Sequence, residues 1–233
     1  MAQKTRANLK NYFLKGNIPS EKDFHDFIDS CVNKIDDGII KVKGEGIKIL
    51  AEGPNKELFN FFDNIDDLNP TWVFNQKTED GNEGLNISEP NGGSRFFIEK
   101  GGNIGIGSTK PSTKLEVAGL VGMEGRIGNF SFGEIPANGE WHDVISDLNE
   151  YQAFEIVASV GKKGAHSILH AIAVSTYGKS KSKISKTCGH YGWSRNKLDV
   201  RWFGSYFSYQ LQIRTKSNYG EGIMIKYNIS KLY

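Results

Sequence analysis

GGNIGIGSTKPSTKLEV, Gly101 to Val117, decides how the chain is read. Four glycines fall within seven residues, and Ser108, Thr109 and Lys110 follow. That composition is compatible with a phosphate cradle, which would need G-x-x-x-x-G-K-[ST] between a strand and a helix. Gly102 and Gly107 have the spacing, but Ser108 stands where the lysine belongs. Pro111 and the strand-like Leu115-Glu116-Val117 follow where a helix would begin. Without a helix N-terminus there is no dipole and no convergence of N–H groups on an anion. The G-x-G-x-x-G pattern is absent as well. The stretch therefore reads as two short strands, Ile104–Ile106 and Lys114–Val117, around a turn. Ile104 and Ile106 share one side, while Gly105 and Gly107 leave the other bare, which predicts close approach of another chain.

Upstream lie more short candidate strands: Thr71–Gln76, Leu85–Ser88 and Arg95–Glu99. A strand–turn–strand is predicted over Ile39–Leu50, and Ala51–Asn69 reads as irregular. Strands of this length with this much glycine rarely make a free-standing sheet. They suit a thin shaft in which several chains wrap one axis. Before them, Ser20 with Asp23 three residues on is a helix start. Phe24, Phe27, Ile28, Cys31, Val32 and Ile35 then form one apolar stripe, ended by Gly38. A shorter helix with Leu9, Tyr12 and Phe13 precedes it. Two such helices cannot bury a core of their own. Phe24, Ile28, Cys31 and Ile35 are expected against an axis or a neighbouring copy, together with Ile104, Gly105, Ile106 and Gly107.

Downstream the strands lengthen. Tyr151–Val160, His166–Thr176, Lys197–Phe203, Tyr209–Lys216 and Gly222–Lys231 have β character, and the last three alternate cleanly. About 100 residues of such strands read as a β-sandwich. The predicted architecture is mainly β: a helical segment over 1–38, a Gly-rich β shaft over 39–125 and a C-terminal sandwich over 126–233.

Charge is split between the halves. From Trp141 to Tyr233 there are 13 Lys and Arg against 6 Asp and Glu, so the remainder is acidic within a net charge of +2. Such asymmetry suggests different partners for the two halves. The two cysteines, Cys31 and Cys188, imply no disulfide framework. The N-terminus has no apolar core of a secretory signal, and no run approaches a membrane span.

With these residues in view, GGNIGIGSTKPSTKLEVAG resembles the shaft element of bacterial and phage tail fibres, tailspikes and related fibrous adhesins. LKNYFLKGNIPSEKDFHDFIDSCVNKIDDGI is similar to an N-terminal segment of tail-fibre-like proteins of Bacteroidetes-type bacteria and their phage-like particles. SRFFIEKGGNIGIG, YQAFEIVASVGKKGAHSILHAIAVSTYG and RWFGSYFSYQLQIRTKSNYG resemble further parts of the same group. The resemblance implies a homotrimer with an intertwined shaft, attached to a baseplate or tail protein. It also implies assembly in a bacterial cytoplasm and action as part of a virion or an extracellular contractile injection particle.

Catalysis and metal binding find little support. HSILH lacks the glutamate of a metalloprotease helix, and His190 with Cys188 is not a four-ligand set. Beyond Glu155 the only acids are Asp199 and Glu221, a poor supply for the paired carboxylates of a glycosidase. We therefore expect no cofactor and no enzyme, with a polysaccharide-degrading spike as the alternative. A nucleic-acid binder is a weaker alternative, since no reader motif accompanies the basic residues. The expected receptor contacts are basic and aromatic residues of the C-terminal domain. Lys179, Lys181 and Lys183 recur at a period of two, with Lys186 nearby. Tyr191, Trp193, Arg195 and Tyr206 lie at turns, and Arg201, Arg214 and Lys226 lie on the polar phase of strands. Rings can stack on sugar, and guanidinium pairs with phosphate or carboxylate.

Overall fold

The structure, a computed structural model, describes residues 4–64, 66–90, 92–178 and 180–233. Among the described residues it is mainly β with two short helices. The chain divides into two units, residues 1–122 and 123–233.

The first unit opens with α1 (Arg6–Tyr12) and α2 (Glu21–Asp29). The Asp23 carboxylate accepts from the Ser20 N–H at 2.9 Å and the Ser20 hydroxyl at 2.8 Å, so the expected start signal operates. The helix ends nine residues short of Gly38, however, and Cys31, Val32 and Ile35 lie outside it. The cause is local. The Ser30 hydroxyl donates back to the Asp26 carbonyl, and the Asn33 side chain accepts from the Ile35 N–H at 2.9 Å. Both offer the backbone an alternative to continued helix. Phe13 packs edge-on against Phe24 and Phe27, yet no residue of either helix is buried.

Two short strands, β1 (Ile39–Lys41) and β2 (Ile47–Ile49), form a hairpin. A six-stranded sheet follows in simple order: β3 (Glu57–Phe61), β4 (Trp72–Lys77), β5 (Glu83–Glu89), β6 (Gly93–Glu99), β7 (Ile104–Ile106) and β8 (Leu115–Val117). β3 lies inside the segment expected to be irregular. Its Phe59 and Phe61 alternate as a strand should, but only five residues long and among Gly, Pro and Asn they carry a weak signal.

The two faces of this sheet differ sharply. One register row reads Phe59, Phe74, Ile87, Phe96, Ile106, Val117, apolar on all six strands. None of these side chains is buried, and Trp72, Leu85 and Leu115 beside them are exposed. The neighbouring row, Asn75, Asn86, Phe97, Gly105, Glu116, points to the opposite face. There the first four residues are buried beneath the chain's own loops.

The second unit is a two-sheet sandwich. Its larger sheet has the order β13 (Ser180–Tyr191), β12 (Ala165–Thr176), β11 (Gln152–Lys162), β16 (Met224–Lys231), β9 (Ser131–Pro136). The smaller has the order β10 (His142–Leu148), β15 (Ser208–Thr215), β14 (Leu198–Ser205). Alternate residues of both sheets enclose one core, with Phe154, Ile156, Leu169, Leu211, Ile213, Ile225 and Ile229 fully buried. β9, β10 and β13 were not expected. β10 is broken by register shifts and by Asp147 at φ 59°. β13 is an edge strand carrying lysines in place of apolar residues, a usual defence against edge-to-edge pairing.

Candidate glycan-binding surface

The opening glycine stretch resolves first. Glu116 of β8 accepts from the Ser112 N–H at 2.9 Å and the Ser112 hydroxyl at 2.7 Å, and its other oxygen accepts from the Ser108 hydroxyl at 2.9 Å. These bonds, the Ser112 N–H foremost, hold the Glu116 carboxyl below its ordinary value. A fixed carboxylate thus takes up the hydroxyls of Ser108 and Ser112 and the Ser112 N–H, groups a phosphate would need, which disfavours an anion in this loop. The expected role of Gly105 also changes. A Cβ there would collide with the carbonyl of Ser108 in the same chain. Its bare backbone therefore admits the chain's own loop. Gly107 lies at φ 70°, the turn conformation that glycine takes without strain. Ile104 and Ile106 do face the uncovered apolar side.

The expected receptor residues separate into distinct places. Lys179 lies outside the described residues. Lys181 has φ 49° at an irregularity where β12 and β13 shift register, so the period of two that would align it with Lys183 is broken. Lys186 is paired with Asp199, and Lys226 sits 3.3 Å from Glu134. Tyr191, Trp193 and Arg195 lie at the end of β13 and in the turn after it, with the Arg195 guanidinium 5.0 Å from the Trp193 ring. Tyr206 lies in the β14–β15 hairpin turn with Phe207, beside Tyr177, Tyr151 and Tyr233. The two aromatic groups thus fall at opposite ends of the β13–β14 edge.

Arg201 and Arg214 come together on the outer face of the three-stranded sheet. Each guanidinium is 4.3 Å from the Trp141 ring centre, and Arg201 is also 4.7 Å from that of Phe203. Strand geometry makes this possible: Asp199, Arg201 and Phe203 alternate outward on β14, opposite Arg214, Gln212 and Gln210 of β15. Buried Gln212 fixes the array. Its Oε1 accepts from Arg201 Nε at 2.8 Å and its Nε2 donates to Asp143 at 2.7 Å. Among the described residues Arg201 has no carboxylate partner. Asp199 is shared by Lys186, by Lys216 at 3.8 Å and by Arg214 at 3.9 Å. Asp199 and Asp143 are two carboxylates against Lys186, Lys216, Arg201 and Arg214, which leaves the face positive. Stacking on aromatic faces pre-orients the guanidinium forks, which lowers the entropy lost on pairing with a planar anion.

Trp141 and Gln212 were missed because neither stands out alone. Trp141 precedes a strand the sequence does not announce, and a glutamine between Leu211 and Ile213 looks like an ordinary outward residue. Among the described residues no group of three or more His, Cys, Asp and Glu is placed to hold a metal, and no helix is long and apolar enough to cross a membrane. No family model and no curated protein matches the chain.

Proposed function

We propose that the protein is a homotrimeric fibre adhesin, which attaches a phage tail or a phage-like injection particle to a cell surface bearing anionic glycan. The observation that carries the binding half of this reading is the Arg214–Trp141–Arg201–Phe203 array. It offers two pre-oriented guanidinium groups, of which Arg201 has no carboxylate partner among the described residues and Arg214 only a share of Asp199 at 3.9 Å, on a sandwich whose core is complete within one chain. The apolar face of the six-stranded sheet supports the oligomeric half, since only another apolar surface would cover it. The count of three, the baseplate attachment and the site of action rest on the resemblance of the shaft element. In this reading the first unit assembles the fibre and the second reads the target. Three copies on one fibre multiply a weak contact by avidity.

The test is whole-cell binding by the parent and by the double variant Arg201→Ala, Arg214→Ala, with mass and circular dichroism as controls. The variant is expected to stay assembled and folded and to lose binding. Parent binding should weaken with salt, as the Debye length falls from about 10 Å at 0.1 M to about 3 Å at 1 M. Equal binding by parent and variant would remove this face from the reading and leave the Trp193 and Tyr206 ends as the contacts.

A further inference from the structure

The polar face of the six-stranded sheet holds a second cavity, independent of the surface above. It has a volume of about 350 Å³ and lies among β3, β4, β5 and the 78–80 turn. That is at the lower end of the roughly 300–1,000 Å³ typical of small-molecule sites. Its floor is amide. Asn75 and Asn86 are direct partners on β4 and β5, 4% and 2% exposed. The Asn86 Oδ1 accepts from the Ser94 hydroxyl at 2.6 Å. The Asn75 Oδ1 is buried and has no hydrogen-bond partner among the described residues. A buried polar atom left so costs its full desolvation, so such groups are nearly always satisfied by something.

The rim shows what that something is. Glu57, Glu79, Asp80 and Glu89 line the cavity, and among the described residues no lysine or arginine does; Glu89 alone of the four is ion-paired, with Arg95 at 2.9 Å outside the lining. Anions are repelled. A metal ion is disfavoured too, since among the described residues these acids do not converge as a ligand set. What remains is a neutral ligand rich in hydroxyl groups. A hydroxyl donates to carboxylate and amide oxygens and accepts from amide N–H, so it satisfies Asn75 in either orientation of the amide. We propose that this cavity binds a neutral saccharide, with Asn75 as its buried anchor and the rim carboxylates as acceptors for its hydroxyls. By strand alternation the cavity opens away from the apolar row and stays accessible if that row is covered by another copy.

The test uses the full chain and saturation-transfer NMR with glucose, galactose, mannose, N-acetylglucosamine, maltose and lactose as probes. Parallel titrations use calcium chloride and glucuronate. At least one neutral sugar should bind saturably in the millimolar range. Asn75→Leu should weaken it about tenfold or more, the loss of one buried hydrogen bond, and the rim variant Glu79→Ala, at an exposed position, should weaken it less. Arg201→Ala should leave it unchanged, which separates this site from the adhesin surface. The proposal is overturned if no neutral sugar saturates, if calcium alone binds there, or if Asn75→Leu and Glu79→Ala both bind like the parent. In the first case the cavity holds water alone.

Discussion

The two units solve the burial problem in different ways. The second hides nineteen apolar residues in one core shared by two sheets. The first, of similar length, buries only Val73, at 9% exposure, and Phe97 among its described large apolar residues. Its sheet is continuous across six strands, but the apolar row on one face has no buried side chain. The helical segment adds to the imbalance: Phe24 and Ile28 of α2 are 49% and 61% exposed, and Ile35 beyond it 88%. Burial supplies about 25 cal/mol per Å² of apolar surface, so the first unit forgoes most of the driving force that holds the second together. The difference teaches that the strands of this chain have two kinds of sequence. Those of the sandwich are written for a partner sheet in the same molecule, and those of the first unit leave an apolar row open, which the proposed oligomer would cover.

The comparison can be broken most forcefully at the apolar row. Phe96→Asp places a charge in the middle of it. We expect loss of assembly and of cooperative melting in the first unit, while the sandwich melts as before. Scanning calorimetry at several protein concentrations would show it, because only an assembled unit has a concentration-dependent transition. Next in size is the sandwich core. Leu211→Ala should cost about 2–5 kcal/mol, read by urea denaturation as a lower midpoint for the second unit at every concentration. Smaller again is Gly105→Val, whose side chain meets the Ser108 carbonyl. Overpacking of this kind costs about 1–3 kcal/mol, and proteolysis should open the 108–112 loop first.

Acid sharpens the comparison further. The Glu116 carboxyl is held below its ordinary value of 4.5. Its contribution is therefore fully present above that value and is lost as pH falls through the depressed one. The Ser112 amide resonance should shift in that acid window, and in Glu116→Gln it should not. Glu155 behaves likewise in the second unit, depressed first by the hydrogen bond from His170 and then by that from Arg126. The smallest effect is expected at Lys226→Ala. Its exposed pair with Glu134 contributes at most about 1 kcal/mol, and the melting point should barely move.

Much of this was legible in the sequence. The alternation Leu198-Val200 and Leu211-Ile213 predicts two inner-facing strands, and all four side chains are buried. The IGI strand stands at the expected residues. Three things were hidden, each for a physical reason. A helix stripe looked continuous to Ile35 because apolar spacing cannot show that Ser30 and Asn33 capture the backbone. The glycines looked like room for a second chain because a sequence does not show a loop turning back on its own strand. The Trp141 array was invisible because its members come from two strands and the residue before a third, and cross-strand register becomes readable only once the sheet exists. The lysine run misled in the opposite sense: one positive φ at Lys181 undoes a period that looks regular on paper.

The claim that the first unit is completed by other copies is tested most directly by mass in solution. Light scattering at micromolar concentration, coupled to size exclusion, measures it on the unmodified chain. The account predicts a single species of three times the 26.0 kDa chain mass, which falls apart in Phe96→Asp. A folded, stable species of 26.0 kDa with both units melting cooperatively would contradict it.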